Sequence, residues 1–94
     1  MTAEVFVLPA LLGMEQAASL KQDLVSLAAM SGAIELDGSA VQQIATAPLQ
    51  LLAAFARERQ SRAAPMRWRG VSDPLHSAAT TLGVTDALQL QART

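Results

Sequence analysis

Ninety-four residues, 51% apolar and 16% charged with a net charge of −1, describe one small folded domain and exclude intrinsic disorder. Near-neutrality argues against nucleic acid as the main ligand, because counterion release needs many cationic contacts. The absence of cysteine excludes disulfides and thiol-ligated metals.

A chain of this size buries roughly 60 to 65% of its unfolded surface. One core over residues 1–94 is therefore expected, with enough apolar surface left over to favour a partner or weak self-association. The opening "MTAEVFVLPALLGMEQ" has no cationic leader, and Pro9 interrupts its apolar run. No stretch reaches the ~20 apolar residues that span a bilayer. A soluble, cytoplasmic protein is the expectation.

"EVFVL", residues 4 to 8, is β-branched and aromatic and stops at Pro9, which reads as a strand. From Met14 to Met30, Ala17, Leu20, Leu24, Leu27 and Ala28 recur at helical spacing, with Lys21, Gln22 and Ser26 on the other side. Gly32 is placed to terminate that helix. "AIELD", 33 to 37, is a second strand whose Glu35 suggests a partly open sheet face. Gly38 and Ser39 turn the chain, and Val41 and Ile44 anchor the connection.

Helix two is expected to begin after Thr46, with Pro48 in its first turn and Leu49, Leu52, Ala53 and Ala56 as its buried stripe. Thr46 is then placed to cap it, its hydroxyl accepting from the N–H of Leu49 or a neighbour, worth ~1 kcal/mol. Arg57, Glu58, Arg59 and Arg62 are expected to solvate the far end, where cations complement the helix dipole. "PMRWRGV", 65 to 71, alternates like a half-exposed strand and directs Trp68 into the core. Ser72 or Asp73 caps a third helix with Pro74 in its first turn; Leu75, Ala78, Ala79 and Leu82 face inward, and Gly83 ends it. Val84 and Leu88 pack a closing segment, and the tail "QART" is expected to fray. Three strand–helix units in succession predict an α/β fold with a mostly parallel sheet, its helices mainly on one face. The thinly covered face is a candidate contact surface.

Catalytic chemistry is sparse. His76 is the sole histidine and reads as a surface or boundary residue; no carboxylates cluster around it for a metal. No serine sits in a "GxSxG" setting, and no glycine-rich phosphate loop occurs. Asp37 and Asp73 read as turn or cap residues. No catalytic residue, metal or cofactor is expected. Arg57, Arg59, Arg62, Arg67 and Arg69 lie close in sequence and read as solvated charges, with anionic lipid or acidic protein as the functional alternative. Thr46 has two readings that composition leaves open. It is a cap, or it is a phosphoacceptor at a helix start, where N–H groups and the dipole favour an anion.

"LDGSAVQQIATAPLQLL" resembles the central signature of STAS domains, the sulfate-transporter and anti-sigma-factor-antagonist family. Asp37, Ser39, Val41, Ile44, Thr46 and Leu49 fall on that signature without a gap. "LPALLGMEQAASLKQDL" resembles the family's first strand–helix unit, and "MRWRGVSDPLHSAATTLGV" its third. The resemblance covers about residues 4 to 88. Ala45 stands where the family has Asp, Pro48 where it has Gly, and Ala47 where sporulation-type antagonists carry their phosphorylated Ser. Thr46 instead matches the threonine of cytoplasmic subunits of lipid-asymmetry ABC transporters.

The resemblance implies a STAS-like α/β sandwich that acts by protein contact without catalysis. Its contact surface would be the loop 38–47 and the start of helix two, with Asp37, Ser39, Thr46, Ala47, Pro48 and Gln50 as partner-binding or switch residues. The implied partner is an anti-sigma or histidine-kinase-like regulator. The alternatives are the ATPase of a lipid transporter, or a chemotaxis kinase for which the chain serves as adaptor.

Overall fold

A computed structural model describes residues 4–64 and 66–90. In chain order these form β1 (Glu4–Val7), β2 (Leu11–Leu12), a 3-10 turn (Met14–Gln16) and α1 (Ala17–Ala28). β3 (Ile34–Gly38), β4 (Gln43–Ile44), α2 (Thr46–Ser61), β5 (Met66–Val71) and α3 (Asp73–Leu82) follow. The main sheet has the order β1-β3-β5 with both pairings parallel, so the architecture is α/β with a parallel sheet, as the alternation predicts. β2 and β4 form a second, two-stranded parallel sheet. Pro9 and the turn at Ser39 each interrupt a longer run, and beyond them the chain pairs again for two residues. Ala45 N–H then donates to Leu12 O (2.8 Å), which fixes the entry to α2.

Period-two alternation assigns the two sheet faces. Ile34, Leu36 and Gly38 of β3 are buried, and Phe6, Met66 and Trp68 pack against the same cluster. Leu20, Leu24 and Leu27 of α1, Leu49, Leu52 and Phe55 of α2, and Leu75 and Ala79 of α3 all join it. Leu88, fully buried, closes it from the segment after Gly83, and Trp68 Nε1 donates to its carbonyl (2.8 Å). Gly38 is required by packing. A Cβ there would lie 2.5 Å from Leu75 Cδ2 and 3.2 Å from Trp68. The opposite face carries Val5, Val7, Glu35, Asp37 and Arg67, none of them buried. The helices thus lie on one face of the sheet.

Caps follow sequence at α3 and depart from it elsewhere. Ser72 caps α3, its Oγ accepting from Leu75 N–H (3.2 Å) while donating to Val41 O (2.6 Å). Gly83 ends the helix in the left-handed region at φ 77°. Leu82, expected inward, is 38% exposed because it sits in the last turn, beyond the packed stripe. Gly32 does not stop α1 in a left-handed turn; the helix closes at Ala29 in right-handed geometry. Gly32 offers its carbonyl to Arg59 instead. The expected fraying of "QART" lies outside the described residues, as does Pro65 at the start of the third strand.

Candidate functional site

Thr46 is the first residue of α2 and is exposed, but it is not the cap. The cap position belongs to Ala45, whose backbone is extended (φ −78°, ψ 165°) and whose carbonyl takes the Leu49 N–H (3.2 Å). Alanine has no side-chain oxygen, so α2 starts without a side-chain cap, and the Thr46 hydroxyl comes one residue too late to supply one. Pro48 occupies the first turn and is buried, as its missing N–H permits. It therefore anchors the helix start, beside which Thr46 and Gln50 are exposed and Ala47 is half-buried.

Asp37 and Ser39 form a separate, self-contained unit at the end of the central strand. Asp37 Oδ1 accepts from the Ser39 hydroxyl (2.6 Å) and the Ser39 N–H (3.0 Å). The hydroxyl bond, followed by the backbone bond, lowers the Asp37 carboxyl below its ordinary value; desolvation opposes them, and the Arg69 charge adds a smaller pull. Arg69 is placed there by an irregularity in β5: Leu36 pairs with Trp68 and Asp37 with Gly70, so Arg69 is the extra residue of a bulge. No hydrogen bond joins the Asp37–Ser39 turn to Thr46, Ala47 or Gln50 among the described residues.

The arginines divide between unlike environments. Arg59, expected in solvent, is fully buried: Nη1 donates to Met30 O and Nη2 to Gly32 O, both at 2.7 Å. It closes the turn after α1 and is structural. Arg62 pairs with Glu58 (2.6 Å), Arg57 is exposed, and Arg67 and Arg69 project from β5. The five make no single basic surface.

Two depressions stand out beyond these residues. His76, half-buried, lines a crevice of about 520 Å³ at β5 with Met66, Trp68, Gln89 and Leu90. A seam along α1 and α2 begins at Ala47 and Gln50, against Ala17, Ala18 and Lys21. Ala47 and Gln50 are thus brought together with α1, which the sequence reading placed outside the site. Among the described residues no group of three or more acidic or histidine side chains is positioned for a metal, and no helix is long and apolar enough to cross a membrane.

Comparison with known proteins finds no match among family models, curated proteins or solved structures.

Proposed function

We propose that the chain is a non-catalytic, cytoplasmic regulatory module of the STAS type, which binds a kinase-like or signalling protein through the loop 38–47 and the start of α2. The observation that carries this reading is the start of α2. Thr46 is exposed there, its hydroxyl makes no hydrogen bond among the described residues, and Ala47 and Gln50 open onto a groove beside it. An uncapped helix start with an available hydroxyl is a site where a phosphoryl group changes the local charge by about two units next to favourable N–H dipoles. The parallel order of the strands and the Asp37–Ser39 turn at the end of the central one support the same reading.

The test is affinity purification with the wild-type chain, Thr46→Glu and Thr46→Val, followed by mass spectrometry. A signalling protein retained by the wild type and lost with Thr46→Glu is the expected result. If all three retain the same proteins as an Ala47→Arg control, the reading fails.

A second reading, a subunit resting on a transporter ATPase, is favoured by Ala47. It stands at the position of the sporulation-type acceptor, has no hydroxyl and is half-buried, whereas Thr46 beside it is exposed. Recovery of an ATPase in the same purification, with binding retained by Thr46→Val, selects this reading.

A further inference from the structure

The seam between α1 and α2 continues well past Ala47. Near its start Ala17, Ala18, Gln50 and Leu51 border a depression of about 410 Å³. Farther along, Leu24, Val25, Ala28, Ala54 and Phe55 border another of about 200 Å³. A third, about 530 Å³, lies on α1 around Ala18, Gln22, Val25 and Ser26. Val25 is 62% exposed although it is a large apolar side chain on a packed helix. Lys21 borders all three depressions, and among the described residues no other charged one borders any of them. Lys21 is also the chain's only lysine and makes no ion pair among the described residues.

We propose that this seam is the docking groove for an amphipathic helix of a partner protein, which lays small and branched apolar side chains along it and presents a carboxylate to Lys21. This deepens, and rests on, the reading of the chain as a protein-interaction module. A helix fits better than a strand, because both walls are helices whose backbone groups are already bonded and no free edge is offered for a ladder. Alanines at 17, 18, 47 and 54 let a third axis approach to the ~8–10 Å of close helix packing. α1 has 12 residues, so at 1.5 Å per residue the groove takes about three turns of helix. Charge chooses the partner. A carboxylate meeting Lys21 among apolar walls is shielded from water and so contributes more than an exposed pair. A second copy of this chain fits worse. Lys21 lies mid-seam, so two-fold pairing of the seam with itself brings Lys21 against Lys21.

The experiment is selection from a displayed library of amphipathic helices, with a fixed apolar stripe and randomised flanking positions, on the full chain. Ala54→Arg and Val25→Glu serve as counter-targets; both positions are exposed, and each variant's fold is checked by its amide spectrum. The expected result is enrichment of helices with an acidic residue beside the stripe. Such helices bind Lys21→Glu about tenfold more weakly or worse, and selection on Lys21→Glu turns the enrichment to basic flanks. Their binding shifts the amides of Ala18, Lys21, Leu51 and Ala54. The proposal is overturned by equal recovery on the counter-targets, by enrichment indifferent to Lys21→Glu, or by shifts on another face. A dimer in sedimentation that Ala54→Arg dissociates also overturns it, since a second copy is then the occupant. Failure here is separable from failure of the functional reading: a partner retained through Thr46 but indifferent to Ala54→Arg removes the groove and leaves the module.

Discussion

At its C-terminal end α2 buries Arg59, whose two terminal nitrogens hold the carbonyls of Met30 and Gly32 at 2.7 Å. At its start the same helix leaves Thr46 exposed and has no side-chain cap. One polar side chain is committed to closing a neighbouring turn; the hydroxyl of the other makes no hydrogen bond among the described residues. Buried polar groups are kept only where bonds offset their desolvation, so Arg59 belongs to the architecture. Thr46 makes no side-chain hydrogen bond among the described residues, so stability is expected not to depend on it.

Four substitutions test that contrast, beginning at the buried end. Arg59→Ala leaves two carbonyls without their donor and opens space in the core; it is expected to cost about 3 kcal/mol in denaturant unfolding. Arg59→Lys should recover only part of this, because a single ammonium does not reproduce a fork spanning two acceptors. A loss below about 1 kcal/mol for Arg59→Ala would show that the turn after α1 is held by other contacts.

At the other end, Ala45→Asp supplies the missing cap in a backbone already extended and adds a favourable charge to the helix start. It is expected to stabilise by about 1 kcal/mol. No gain would mean that the first-turn N–H groups already have acceptors. Thr46→Val is expected to change stability by less than about 0.5 kcal/mol, since no bond is lost. A larger loss would return Thr46 to the architecture and erase the contrast.

The mildest effect concerns Asp37. Its folded-state carboxyl is depressed, so its contribution is present above the ordinary aspartate range and fades as pH falls below about 4. Ser39→Ala removes the larger of the two bonds. The carboxyl carbon of Asp37, followed by NMR, should then titrate at a higher pH than in the wild type while remaining below the ordinary value. An unchanged titration would assign the depression to the backbone N–H and Arg69 alone.

Apolar periodicity locates β3, β5 and the three helices, while β-branched and aromatic composition ending at Pro9 locates β1. It could not find β2 and β4, since two residues contain no period. Arg59 is hidden from any reading that weighs charge above position. It lies three residues after Ala56, four after Phe55 and seven after Leu52, and so continues the buried stripe of α2. That spacing was the available signal. Thr46 sits one residue past the cap position, and a hydroxyl ahead of a proline resembles a cap whether or not the chain uses it. The Asp37–Ser39 turn was legible because its bonds are local. The seam around Lys21 was not, because it exists only once α1 and α2 meet.

The strand pairings also bear on how the chain reaches its native state. Glu4 meets Ile34, and Ile34 meets Met66, so every rung of the main sheet waits for an intervening helix to come round. No hairpin is present among the described residues to nucleate locally, and the loop-closure entropy must be overcome before these strand contacts form. Folding is therefore expected to be slow for so short a chain. β3 must be in place before either edge can join, so substitutions at Leu36 should retard refolding more than equally destabilising ones in β1, which docks on the completed centre.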